Sequence, residues 1–140
     1  MKINKEEITI GSDPEFSLRN KYTGELVSAI GLIKGTKIKP YPMDREGFAM
    51  QVDNVNCEYN IPPVTTAEDF DKVLQYGIDY IQKNILPEDV IPCFQASKFF
   101  PLELLDNDIA REFGCTPSIN AWKEEINTPP DANGTLRSCG

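Results

Sequence analysis

Between Val55 and Ile61, apolar and polar residues alternate without a break: Val55, Cys57, Tyr59 and Ile61 against Asn56, Glu58 and Asn60. A period of two is the signature of a strand with two unlike faces. The apolar set predicts a core face. The polar set places one carboxylate between two amides, and asparagine is a poor strand former. Two readings stay open for it: a polar outer face, or a site where carboxylate and amide oxygens meet a hard cation such as Mg2+. Pro62 and Pro63 end the strand.

A second acidic pair lies upstream, in "GSDPEFSLRN". Asp13 and Glu15 are two residues apart, so a strand points both to one face. They form a solvated edge or half of a metal site. Further along, "IKGTKIKPYP" gathers Lys34, Lys37 and Lys39 around Gly35. A glycine-flanked basic loop can hold phosphate or carboxylate, although this one lacks P-loop spacing. Arg137 is a further candidate anion contact.

The strands have company. Ile8, Ile10, Phe16 and Leu18 alternate, "NKYTGE" reads as a turn, and "LVSAIGLI" returns, which predicts a β-hairpin. Thr65 as N-cap with Glu68 three residues on predicts a helix start. Phe70, Val73, Leu74, Gly77, Ile78, Ile81 and Ile85 then share one face at helical spacing. "VIPCFQAS" predicts a strand, and "PLELL" and "NDIAREFG" predict short helices, with Gly114 as a C-cap. Residues 116–140 read mostly as a loop tail. The expected fold is α+β in one domain of 140 residues: an antiparallel sheet with one long amphipathic helix and short helices packed on one face.

Charge and residue usage narrow the chemistry. The net charge is −8 and the basic residues are scattered, which argues against nucleic acid and anionic membrane as partners. With no histidine in the chain, cysteine nucleophiles lack their usual base. Cys57, Cys93, Cys115 and Cys139 form no C-x-x-C pair and read as reduced thiols of a cytoplasmic protein. The N-terminus lacks the apolar core of a signal peptide. No segment reaches the roughly 18 apolar residues of a membrane span.

Taken together, "GSDPEFSL", "GTKIKPYP", "MQVDNVNCEYNIPP", "EFGCTPSINAW" and "LRSCG" resemble the phage-type carboxylate–amine ligases of the glutamine synthetase-like superfamily. The similarity runs along essentially the whole chain, with the DPEF and DNVNCEYNIPP segments its most specific parts. It implies half of a glutamine synthetase-like catalytic fold, whose polar sheet face holds Mg2+ or Mn2+ and ATP. It implies amide formation between small-molecule or peptide carboxylates and amines. On this resemblance Glu15 and Glu58 are catalytic metal ligands with Asp13 and Asn60 beside them. Lys37, with Lys34 and Arg137, faces phosphate or substrate. Family members continue past the R-S-x-G segment into a glycine and histidine motif. The expectation is therefore an N-terminal or truncated form, inactive alone and self-associating through an exposed sheet edge. The alternative is a non-catalytic phage-encoded interaction protein on the same fold.

Overall fold

In the computed structural model, residues 8–113, 116–129 and 131–139 are described. The expected C-cap Gly114 and the thiol of Cys115 lie outside them. The alternation at 55–61 becomes strand β5 (Asn56–Asn60), paired with β4 (Ala49–Asp53) through a tight hairpin. Asn54 makes that turn with a φ of 57°, a left-handed conformation that asparagine tolerates better than most residues. On its other side β5 meets β1 (Glu15–Asn20). Beyond Glu15 the contact continues: Tyr59 N donates to Pro14 O and Ile61 N to Ser12 O.

β1 is the organising strand and changes partners along its length. Its start pairs with β5, and its end pairs with β2 (Leu26–Val27) and with β6 (Val90–Cys93). With β3 (Tyr41–Pro42) on β4, these make a six-stranded antiparallel sheet. β3 and β6 each carry a proline, Pro42 and Pro92, which removes a ladder donor and suits a strand at the sheet margin.

Alternation sends Phe16, Leu18, Met50, Cys57 and Tyr59 to one face, where all are buried. Helix α1 (Ala67–Asn84) covers that face. The predicted helix stripe is the one that packs. Ile81 is fully buried, and Phe70, Val73, Leu74, Ile78 and Ile85 are half-buried against the core. A fully buried aliphatic side chain such as Ile81 contributes about 1.5–3 kcal/mol. The cap falls one residue later than expected. Thr66, not Thr65, accepts from the Asp69 amide, and the Asp69 carboxylate accepts from the Thr66 hydroxyl.

Gly77 explains how closely α1 approaches the sheet. A Cβ there would stand 2.2 Å from Cε2 of Tyr59, whose hydroxyl donates to Leu74 O at 2.9 Å. Gly77→Ala is expected to destabilise the protein by about 1–2 kcal/mol, because overpacking of a buried ring outweighs the gain in helix propensity. Urea unfolding checks this; an unchanged or raised midpoint would show that α1 has slack here.

The second half of the chain departs from expectation in where its short helices pack and in the strands of its tail. Helices α2 (Leu102–Leu105) and α3 (Asp108–Arg111) form, but they do not share α1's face of the sheet. Leu105 and Ala110 bury with Val55 and Phe100 in a separate cluster, at the rim of the opposite, polar face. The reason is where apolar partners exist: α1 occupies the main core, and Val55 at the hairpin turn offers the other anchor. Within the tail, β8 (Ile119–Asn120) pairs with β9 (Glu125–Ile126), and β10 (Leu136–Ser138) docks on β7 (Ser97–Phe99). The predicted strand over 26–33 shortens to β2, since Gly31 turns with a φ of 83°. Ile8 and Ile10 remain exposed, and Ile10 bridges Val64. Among the described residues no helix is long and apolar enough to cross a membrane.

Candidate functional site

The register of β1, β5 and β4 lays out the polar face as a grid. Its middle row is Glu15, Glu58 and Gln51, because Glu58 pairs with Glu15 on one side and Gln51 on the other. One step along, Asn56 lies between Ser17 and Asp53: Asp53 is its strand partner and Ser17 its hydrogen-bond partner. In the other direction Asn60 is opposite Ala49, and the continuing backbone contacts bring Asp13 alongside. Glu15, Glu58, Asp13 and Asn60, singled out from the sequence, are thus brought to one patch on two adjacent strands.

The centre of this face is buried to a degree unusual for polar groups. Asn56 is 1% exposed, Gln51 5% and Glu58 7%. Asn56 is held at both ends. It accepts from the Ser17 hydroxyl at 3.0 Å and donates to Glu15 Oε1 at 3.0 Å. Cys139 Sγ lies 3.5 Å from the same hydroxyl. Glu15 is therefore oriented by a buried amide. Glu58, Gln51 and Asn60 differ: Glu58 Oε2, Gln51 Oε1 and Asn60 Oδ1 are buried and receive no hydrogen bond from the protein.

Burial lifts the Glu58 pKa above the ordinary carboxylate value. A hydrogen bond from Gln51 and the charge of Lys37 pull it down, while Asp53 and Asp13 push it up. Lys37 reaches this face from the loop before β3, ion-paired to Asp53 at 2.6 Å. Gly35 makes the approach possible. With a φ of 88°, it lies where a Cβ would be 2.4 Å from Met50 O, and its own carbonyl accepts from Val52 N.

Lys34 does not join Lys37; it stands 4.9 Å over the Tyr41 ring. Arg137 lines a cleft of about 510 Å³ between Glu15, Asn56, α3 and residues 131–138. Its guanidinium faces the protein, donating to Asn54 Oδ1 at 2.8 Å and to the carbonyls of Ala110, Ala132, Gly134 and Leu136. Cys57 points into the core, where burial raises its thiol pKa. Cys93 and Cys139, both free, lie towards the polar face beside Ser17.

Among the described residues, no three Cys, Asp or Glu side chains converge to hold a metal by themselves. A cation here would need the amide oxygens as well. The sequence reading missed Gln51 and Asp53. Their signal was present, as polar residues two apart in "AMQVD", followed by the Asp53-Asn54 turn that sets Gln51 against Glu58. No protein-family model, curated protein or solved structure matches the chain.

Proposed function

We propose that the chain is the N-terminal part of an ATP- and Mg2+-dependent carboxylate–amine ligase built on half of a glutamine synthetase-like fold. The observation carrying this reading is the direct pairing of Glu15 with Glu58 on a buried polar face. The donor set fits a hard cation: the unpartnered buried atoms are all oxygens, and Mg2+ and Mn2+ take oxygen ligands. Glu58, Asn60 and Glu15 would hold the ion, with Asp13 at the exposed margin of the same face. Asn56 would keep Glu15 in place. Lys37, tied to Asp53, sets a positive charge at the margin of the face, where it offsets repulsion between two anions. A cation held there would supply charge neutralisation: the γ-phosphoryl group of ATP would pass to the carboxylate with ADP leaving, and the amine would then displace phosphate and shed a proton to give the amide. The setting is a cytoplasm that keeps Cys93 and Cys139 reduced, and the partners are small-molecule or peptide carboxylates and amines.

Calorimetry tests the reading. A non-hydrolysable ATP analogue is expected to give heat with the wild type in Mg2+ or Mn2+ and none in chelator, and Glu58→Ala is expected to abolish the signal. Heat of the same size with and without metal would sink the proposal. A second reading, a non-catalytic interaction protein, draws on one observation. The β8–β9 hairpin exposes Ile119 and Ile126 as a cross-strand pair, with Trp122 95% exposed between them. Its distinguishing result is nucleotide heat absent under every metal condition.

A further inference from the structure

We propose that Gln51 completes an all-oxygen cation site with Glu58 and Asn60, suited to hard divalent ions such as Mg2+ and Mn2+. The inference rests on the metal reading above and adds to it a ligand on β4. The argument begins with three acceptors and no donor. Gln51 Oε1, Glu58 Oε2 and Asn60 Oδ1 are each buried without a hydrogen bond, on side chains that are neighbours by register. Gln51 is directly across from Glu58, and Asn60 is two residues further along the same face of β5. Leaving one such atom unpartnered costs about 1–3 kcal/mol, so a protein that buries three adjacent ones has use for a positive charge there.

The orientation of the Gln51 amide follows from its neighbour. Gln51 lies directly across from Glu58, and beside an ionised carboxylate an amide turns its N–H groups towards the charge and its carbonyl oxygen away. The chemistry of the set is equally definite. It has one carboxylate and two amide carbonyls. Cys57, the one thiol on β5, points to the opposite, apolar face, and the chain has no histidine. Zinc sites draw on sulfur and imidazole; carboxylate and carbonyl oxygen suit Mg2+, Mn2+ and Ca2+.

The test uses Mn2+ as the probe, read by calorimetry and by the loss of the free-ion paramagnetic resonance signal on the full chain. The wild type is expected to bind Mn2+, with Mg2+ competing for the same site. Gln51→Leu is expected to weaken Mn2+ by about 10-fold to 100-fold. Gln51→Glu, which keeps an oxygen in place, is expected to retain binding, and circular dichroism melting confirms that each variant folds. Equal Mn2+ affinity in the wild type and Gln51→Leu overturns this inference and leaves the ligase reading standing. Mn2+ binding that depends on Gln51, without any metal-dependent nucleotide heat, supports this inference and removes the ligase reading. No Mn2+ binding to the wild type removes both.

Discussion

Arg137→Met is expected to release the C-terminal segment from the sheet without unfolding the rest. The guanidinium ties three places together: the β4–β5 turn through Asn54, the end of α3 through Ala110, and its own strand's approach through Ala132, Gly134 and Leu136. Methionine keeps much of the stem and removes every donor. The carbonyls then lose a charged partner, and hydrogen bonds to charged groups are worth about 1.5–3 kcal/mol each. Water reaches some of them, so a net cost of about 3 kcal/mol is the expected size. The amide of Phe100, which donates to Thr135 O, and that of Cys139, which donates to Ala96 O, report it directly. Their hydrogen exchange should accelerate by about 100-fold, while amides of α1 stay protected. Arg137→Lys separates clamp from anion contact. A lysine keeps the charge that a phosphate would read but cannot reach five acceptors, so Arg137→Lys should loosen the segment nearly as much as Arg137→Met. Normal protection in Arg137→Lys would return Arg137 to the role of a charge facing a ligand.

The contrast between Arg137 and the α1 stripe shows what a sequence exposes. Phe70 to Ile85 repeat at a helical period, and Val55 to Ile61 at a strand period. Both patterns are local, so both were legible, core face included, except that Val55, next to the turn, joins the second cluster with Leu105 and Ala110 instead of the main core. The two threonines before α1 are chemically equivalent, so their identity could not choose between them; the cap is Thr66, whose side chain accepts from the Asp69 amide. β10 was invisible because three residues, Leu136–Ser138, become a strand only through Ser97–Phe99, nearly forty positions away. The same distance hid Arg137's purpose: a guanidinium advertises a charge, while the carbonyls it meets are set by how loops pack. At the candidate site, parity grouped Asp13 with Glu15 and Asn56 with Glu58 and Asn60. Their meeting, and the arrival of Gln51, depended on strand register. Only the turn at Asp53-Asn54 hinted at that register.

The Glu58→Gln variant is expected to be more stable than the wild type in metal-free buffer at neutral pH, and unable to bind metal and nucleotide. The wild-type carboxylate is buried beside Glu15, within the field of Asp53 and Asp13, with Lys37 as the nearby cation and one oxygen unpartnered. A neutral amide of the same shape removes the charge and supplies two donors, which Asn60 Oδ1 and Gln51 Oε1 lack. The gain should be about 1–3 kcal/mol, the cost of one unsatisfied buried group. Its pH dependence has a definite sign. Folding raises the Glu58 pKa, so between its unfolded and folded values the native state holds a proton that the unfolded chain has lost. Glu58's contribution to stability is therefore full below its unfolded value and fades as pH rises through the folded one. The wild type should match Glu58→Gln in acid and fall behind it towards neutrality, as urea midpoints measured in chelator across that range would show. Saturating Mn2+ should then close the gap from the wild-type side alone, since binding to the native state stabilises it by mass action. A Glu58→Gln protein less stable than the wild type at neutral pH without metal would mean that the carboxylate is already satisfied within the fold. The case for a cation at this face would fall with it.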